Sequence, residues 1–140
     1  MTCPFCTIVN QDCSDRIVES SNLAIAIEDG FPISKGHTLI IPRRHIASFF
    51  DMTDAERTAL MELLNRAKAK LETRYKPDGY NIGINNGVAA GQTINHMHIH
   101  LIPRWQLAER YTTPLPQLVE SVAVLSAKVD EHLKKMGCAL

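Results

Sequence analysis

Two periods of apolar and polar residues run along this chain. In INHMHIHLIPR, residues 94–104, Met97, Ile99 and Leu101 alternate with His96, His98 and His100. Period two belongs to a β-strand, whose successive side chains point to opposite faces. One face of this strand carries apolar residues to a core, and the other carries a row of imidazoles. LAIAIED (23–29) predicts a strand closed by the turn-forming DGFP and reopened by Gly36. HTLIIP (37–42) predicts a second, with Pro42 stopping its ladder. In YNIGIN (80–85), Tyr80, Ile82 and Ile84 alternate with the smaller Asn81, Gly83 and Asn85. The loop NGVAAGQT (86–93) then joins this strand to the histidine strand as an antiparallel hairpin, and Pro103 is expected to end it.

The second period is helical. Leu60, Leu63, Leu64, Ala67 and Leu71 form one stripe, and Thr53 with Glu56 makes a capping box ahead of it, so a helix is predicted from about 54 to 74. Leu118, Val122, Leu125 and Val129 recur at the same spacing between Pro116 and Gly137, predicting a final helix over 116–137. Strands joined by tight turns, with helices interspersed, imply an α+β fold. Its expected form is an antiparallel sheet of about five strands, with a long central helix and a C-terminal helix on one face and the histidines on the other.

Composition narrows the class. A chain of 140 residues has room for one compact domain and its core, with a motif-bearing part over about 3–104 and an extension over about 105–140. Fifteen basic and fifteen acidic residues cancel, so no overall field draws the chain to nucleic acid or an anionic membrane. Any phosphate must be held by local groups. MTCPFCTIVNQDC lacks the basic start and apolar run of a signal peptide, and no segment is long and apolar enough for a bilayer, so the expected location is cytoplasmic. In that setting four cysteines argue against a disulfide framework. Cys13 and Cys138 stand alone; Cys3 and Cys6 form a CxxC that suits either redox chemistry or half of a zinc site. No strand precedes it as in the redox motif, which favours zinc if two more ligands exist.

Along a strand rising about 3.4 Å per residue, His96 and His100 are roughly 13–14 Å apart, too far to share one ion with His98 between them. The row therefore divides its labour. At this point GQTINHMHIHLIPR (91–104), with CPFC, Asp29, Pro32, GHTLIIPRRH (36–45) and NNG in the same order, resembles the histidine-triad family of nucleotide hydrolases and transferases, in its zinc-bearing, bacterial-type branch.

The resemblance implies that His98 attacks the α-phosphorus of a nucleotide and that water later cleaves the nucleotidyl-histidine. His100 would donate to the phosphate or the bridging oxygen. Gln92 and Thr93 would lie along the phosphate chain or assist the leaving group, with Asn85 and the backbone around Gly91 beside the phosphates. Asp29 would bind the ribose hydroxyls, and Phe5, Ile8 and Ile27 would form the pocket for a purine base. Cys3, Cys6, His45 and His96 would hold one structural zinc ion. The implied substrates are dinucleoside polyphosphates or nucleoside phosphoramidates, and the implied assembly is a homodimer. Transferases of this superfamily tend to have glutamine where His100 stands, which leans toward hydrolysis. Nucleotidyl transfer, or a catalytically weak nucleotide-binding module, are the alternatives. His37 and His132 are expected to be structural or surface residues.

Overall fold

A computed structural model describes residues 3–11 and 14–106. Its elements are α1 (Pro4–Gln11), β1 (Ile17–Ser20), β2 (Ala24–Glu28), β3 (Thr38–Pro42), α2 (Asp54–Tyr75), β4 (Gly79–Gly83) and β5 (Ile99–Arg104). The five strands form one antiparallel sheet in the order β1-β2-β3-β5-β4. The α+β fold with a five-stranded antiparallel sheet is as the sequence implies. The helix over 116–137, His132, Cys13, Cys138 and nearly all of the extension lie outside the described residues.

Helix α2 begins where its capping box sets it. The Thr53 side chain accepts from the Glu56 N–H at 3.1 Å, and the Glu56 carboxylate accepts from the Thr53 N–H at 2.9 Å. It ends at Lys76, in the left-handed region at φ 49°, ahead of Pro77. Leu60, Leu63, Ala67 and Leu71 form its buried stripe, packed on Ala24, Ala26, Ile40, Met97, Ile99 and Leu101. Burying each large side chain of this kind contributes about 1.5–3 kcal/mol.

The opposite face of the sheet is covered too. Phe5 and Ile8 of α1 pack against Ile25, Ile27, Leu39 and Ile41. This corrects the expectation of helices on one face. Strands β2 and β3 read AIAIE and TLIIP because both of their faces are buried, and such strands run continuously apolar instead of alternating.

Two other expectations change. The five-residue ladder of β4 and β5 runs to Arg104, with Pro103 opposite Tyr80, so Pro103 does not end the strand. The β3 partner stops at Leu101, so at Pro103 the strand has only one neighbour and the missing N–H costs little. Strand β1 went unpredicted because its four residues, IVES, are too few to show a period. Gly36, at φ +85°, brings the turn before β3 under α2; a Cβ there would come within 2.9 Å of the Leu71 side chain.

Candidate active site and metal centre

The histidine face is closed in. His96, His98 and His100 are 0%, 2% and 2% exposed, and the Phe5 ring meets His96 and His98 edge-on at centroid distances of 5.8 and 5.1 Å. Burial pushes all three imidazoles toward the neutral form, His96 to a pKa of about 4 and His100 well below the ordinary value. A neutral imidazole has one N–H and one lone pair, so each hydrogen bond fixes which nitrogen is which.

His96 donates its Nε2–H to the Pro42 carbonyl at 2.8 Å. Its Nδ1 lone pair therefore faces the other way, 3.5 Å from Cys3 Sγ, 3.5 Å from Cys6 Sγ and 3.3 Å from His45 Nδ1. His45 Nδ1 is in turn 3.2 Å from Cys6 Sγ, and all four donor atoms lie within 4.8 Å of one another. These four residues could hold a metal ion. They come from α1, the loop after β3 and the segment before β5. Arg44, the neighbour of His45, is fixed by a bidentate bond to Glu56 at 2.8 and 3.1 Å, so the start of α2 anchors the loop that carries His45. Arg44 draws the Glu56 carboxyl down to a pKa of about 2. Burial, with Cys6 alongside, raises the Cys3 thiol to about 11, which a bound cation would oppose.

His98 turns its ring the opposite way. Its Nδ1–H donates to the carbonyl of His96 at 2.8 Å, leaving the Nε2 lone pair for chemistry. The peptide that supplies a candidate metal ligand thus also sets the tautomer of its neighbour. Alternate positions along one extended segment face alike, and the two rings differ only in what their second nitrogen meets.

His100 lies 2.9 Å, Nδ1 to Nε2, from His37, which is itself 1% exposed. Sequence reasoning set His37 aside as structural or surface; the structure places it against the triad. Asp29 Oδ2 is 3.5 Å from the same His37 nitrogen, and Asp29 Oδ1 accepts from the Phe31 N–H at 2.8 Å. His100 Nε2 and Asn85 Nδ2 are buried with no hydrogen-bond partner among the described residues. Gly83 pairs with His100 across the ladder, and Asn85 follows two residues on, so both orphan groups belong to the histidine side of the β4–β5 edge. Two buried polar groups left unmatched in one neighbourhood are costly unless a ligand satisfies them.

The remaining expected residues are placed differently. Gln92 spends its side chain on the backbone: its carbonyl accepts from the Gly87 N–H at 2.7 Å, and its amide donates to the Ala47 and Ile94 carbonyls at 2.8 and 3.2 Å. It staples the loop over 87–94 to the loop that carries His45. The N–H of Gly91 is spent on Val88, and what glycine supplies there is its φ of +91°. Thr93 is exposed and lines a cleft of about 280 Å³ with Ser48, Asn86 and Gln92. Phe5, Ile8 and Ile27 are 1%, 0% and 0% exposed and pack together in the core cluster between α1 and the sheet. A larger cleft, of about 610 Å³, lies against the far face between α2 and β1. Its charged residues are already matched there, Lys70 with Glu19 and Arg74 with Glu28.

Comparison with known proteins gives one answer. The family model described as HIT domain matches residues 10–107. An uncharacterised HIT-like protein of Methanocaldococcus jannaschii is 40% identical over 106 residues, which is 74% of this chain and 80% of that protein. The adenosine 5'-monophosphoramidase of Schizosaccharomyces pombe is 35% identical over 104 residues, 74% of this chain and 75% of its own. Among solved structures, a zinc-bound histidine-triad family protein of Mycobacterium smegmatis superposes with a TM-score of 0.71 at 27% identity, over 94% of this chain and 97% of that one. Among the described residues no helix is long and apolar enough to cross a membrane.

Proposed function

The chain belongs to the HIT family, and on that premise we propose that it is a nucleotide phosphohydrolase acting at the α-phosphate through His98. The observation that carries the proposal is the tautomer of His98: its Nδ1–H is committed to the His96 carbonyl, and Nε2 is left as a lone pair on a neutral ring. That nitrogen attacks the α-phosphorus. The new N–P bond forms as the bond to the leaving phosphate or amine breaks, and water then cleaves the nucleotidyl-histidine and regenerates the ring. His100 Nε2 and Asn85 Nδ2 supply hydrogens to the phosphate oxygens and the leaving atom. Asp29 is proposed to bind the ribose hydroxyls and Thr93 to lie along the phosphates; Gln92 acts through the loop it holds.

The substrates proposed are dinucleoside polyphosphates and nucleoside phosphoramidates, the latter in line with the phosphoramidase relative. The test is to incubate purified protein with adenosine phosphoramidate and with diadenosine polyphosphates, quenching early to trap protein-bound AMP. Release of AMP with a transient His98 adduct supports the reading. Binding without release, or release without an adduct, overturns it.

Cys3, Cys6, His45 and His96 are proposed to hold one zinc ion. With ligands at about 2.05 Å for nitrogen and 2.3 Å for sulfur, a tetrahedral zinc site has edges of about 3.4 Å between nitrogens and about 3.6 Å between nitrogen and sulfur. The 3.3 and 3.5 Å separations around His96 fit that figure. Four protein ligands leave no open position, so the ion supplies rigidity to the segment bearing His98, and elemental analysis of protein purified without added metal should find about one per chain.

A homodimer is also proposed. Helix α2 packs over β1, β2, β3 and the start of β5, leaving Ile82 of the edge strand β4 56% exposed and Met61 of α2 44% exposed. Light scattering at twice the 15.6 kDa chain mass would support it, and the single-chain mass would overturn it.

A further inference from the structure

His37 stands outside the HMHIH run and has no part in the proposed attack, yet it is buried against His100. Only one pattern of hydrogens satisfies its contacts. The Ile33 N–H points at His37 Nδ1 at 3.1 Å, so Nδ1 must carry the lone pair and the ring's hydrogen must sit on Nε2. That nitrogen is 2.9 Å from His100 Nδ1. The hydrogen lies between them and belongs to His37, so His100 accepts at Nδ1 and carries its own hydrogen on Nε2, the orphan atom. In the reverse pattern, the hydrogen of His37 on Nδ1 would face the Ile33 N–H. It would also leave His100 Nε2 as a lone pair, which repels phosphate oxygens. Asp29 Oδ2, 3.5 Å from His37 Nε2, adds a negative charge on the side where the hydrogen is wanted.

The loop that delivers these contacts is itself fastened. Ser34 donates to the Pro103 carbonyl at 2.7 Å, the His37 N–H donates to the Ser34 carbonyl at 3.1 Å, and Gly36 takes the positive φ that lets the chain return. The Ile33 N–H is therefore held in place against the His37 ring.

We propose that His37 is a positioning residue that locks His100 in the tautomer whose Nε2–H faces the phosphate groups. The chemical use of that hydrogen rests on the function proposed above; the tautomer lock does not. The lock works through a neutral donor, so a side-chain amide at position 37 can replace it and an apolar side chain cannot.

The test reads the lock directly, without substrate. Long-range ¹H–¹⁵N spectra of histidine-labelled protein, purified with its own metal content, report which nitrogen of His100 bears hydrogen. Wild type should show a single Nε2–H form at His100. His37→Gln should keep it, because the amide N–H can still donate to Nδ1, whereas His37→Leu should give a mixture. With a turned-over nucleotide, kcat should fall about tenfold or more in His37→Leu with KM nearly unchanged, and recover in His37→Gln. A wild-type His100 that carries its hydrogen on Nδ1 overturns the proposal, even if neither variant folds. So does a His37→Leu protein whose His100 stays purely Nε2–H. If wild type turns over no nucleotide but shows the expected tautomer, the function reading fails and the lock stands.

Discussion

The two ends of the histidine row are built from the same residue type and held in opposite ways. At one end, His96 turns a lone pair outward to two sulfurs and His45, an exposed residue, and three distant segments converge on it. At the other end, His100 turns a lone pair inward to His37, in a pocket sealed from solvent, and presents a hydrogen instead. His98 lies between them, held by a carbonyl of the first end. The lesson is that an imidazole's role is set by what its second nitrogen meets. Spacing along the strand places the rings on one face; the Pro42 carbonyl, the His96 carbonyl and His37 decide what each can do.

The comparison can be broken most sharply at its centre. His98→Ala should reduce turnover by several orders of magnitude while metal content hardly moves; its melting temperature should fall only by the packing lost when a buried ring against Phe5 is removed. His96→Ala should show the reverse signature. Metal affinity should fall by more than the roughly 10–100-fold that loss of an outer partner costs, and thermal stability should fall with it. Paired metal analysis and calorimetry on the two variants would expose any sharing of roles.

Acid should test the inner end next. His37 is held neutral by burial, with its pKa lowered from 6.5 to about 4. Between those values the unfolded chain binds the proton that the folded one refuses, so stability present above about 6.5 is lost as pH falls toward 4. That loss is on the order of 3 kcal/mol for this one group. Denaturant midpoints measured from pH 7 to 4 should fall more steeply in wild type than in His37→Gln, which has nothing to titrate there.

Smaller effects belong to the scaffolding. Gln92→Ala leaves the Gly87 N–H and the Ala47 carbonyl without partners and should cost about 1–3 kcal/mol in chemical denaturation. Thr53→Ala removes one half of the capping box and should cost about 1 kcal/mol. If Gln92→Ala instead altered only substrate affinity, its side chain would be facing the ligand after all.

Much of this was legible in the sequence, and the exceptions share a cause. The stripe from Leu60 to Leu71 and the Thr53–Glu56 box define α2 because helical signals are local. The division of the sheet face between Met97, Ile99, Leu101 and the histidines follows from period two alone. What escaped was long-range partnership. Nothing near His37 in sequence announces His100, 63 residues away, and the glutamine at position 92 looks the same whether it serves a phosphate or the carbonyl of Ala47. Helix α1 escaped for a different reason: its eight residues bury only Phe5, Thr7 and Ile8, too few to reveal a period. The enclosure of the histidine face went with it, since Phe5 is what lies against those rings.

The span of the group formed by Cys3, Cys6, His45 and His96 bears on how the chain is made. Cys3 and His96 are 93 residues apart, and His45 falls between them. At a synthesis rate of about 5–20 residues per second, the two thiols wait roughly 5–20 seconds for their last partner, and longer while the tunnel hides it. Closing so long a loop is slow but not costly, because each doubling of its length adds only about 0.6 kcal/mol. Segments β2, β3 and α2 can form in that interval, since their contacts are nearer in sequence. The four proposed ligands can therefore meet only late in synthesis, as the segment leading into β5 emerges, and until then the CxxC remains a pair of unpartnered thiols.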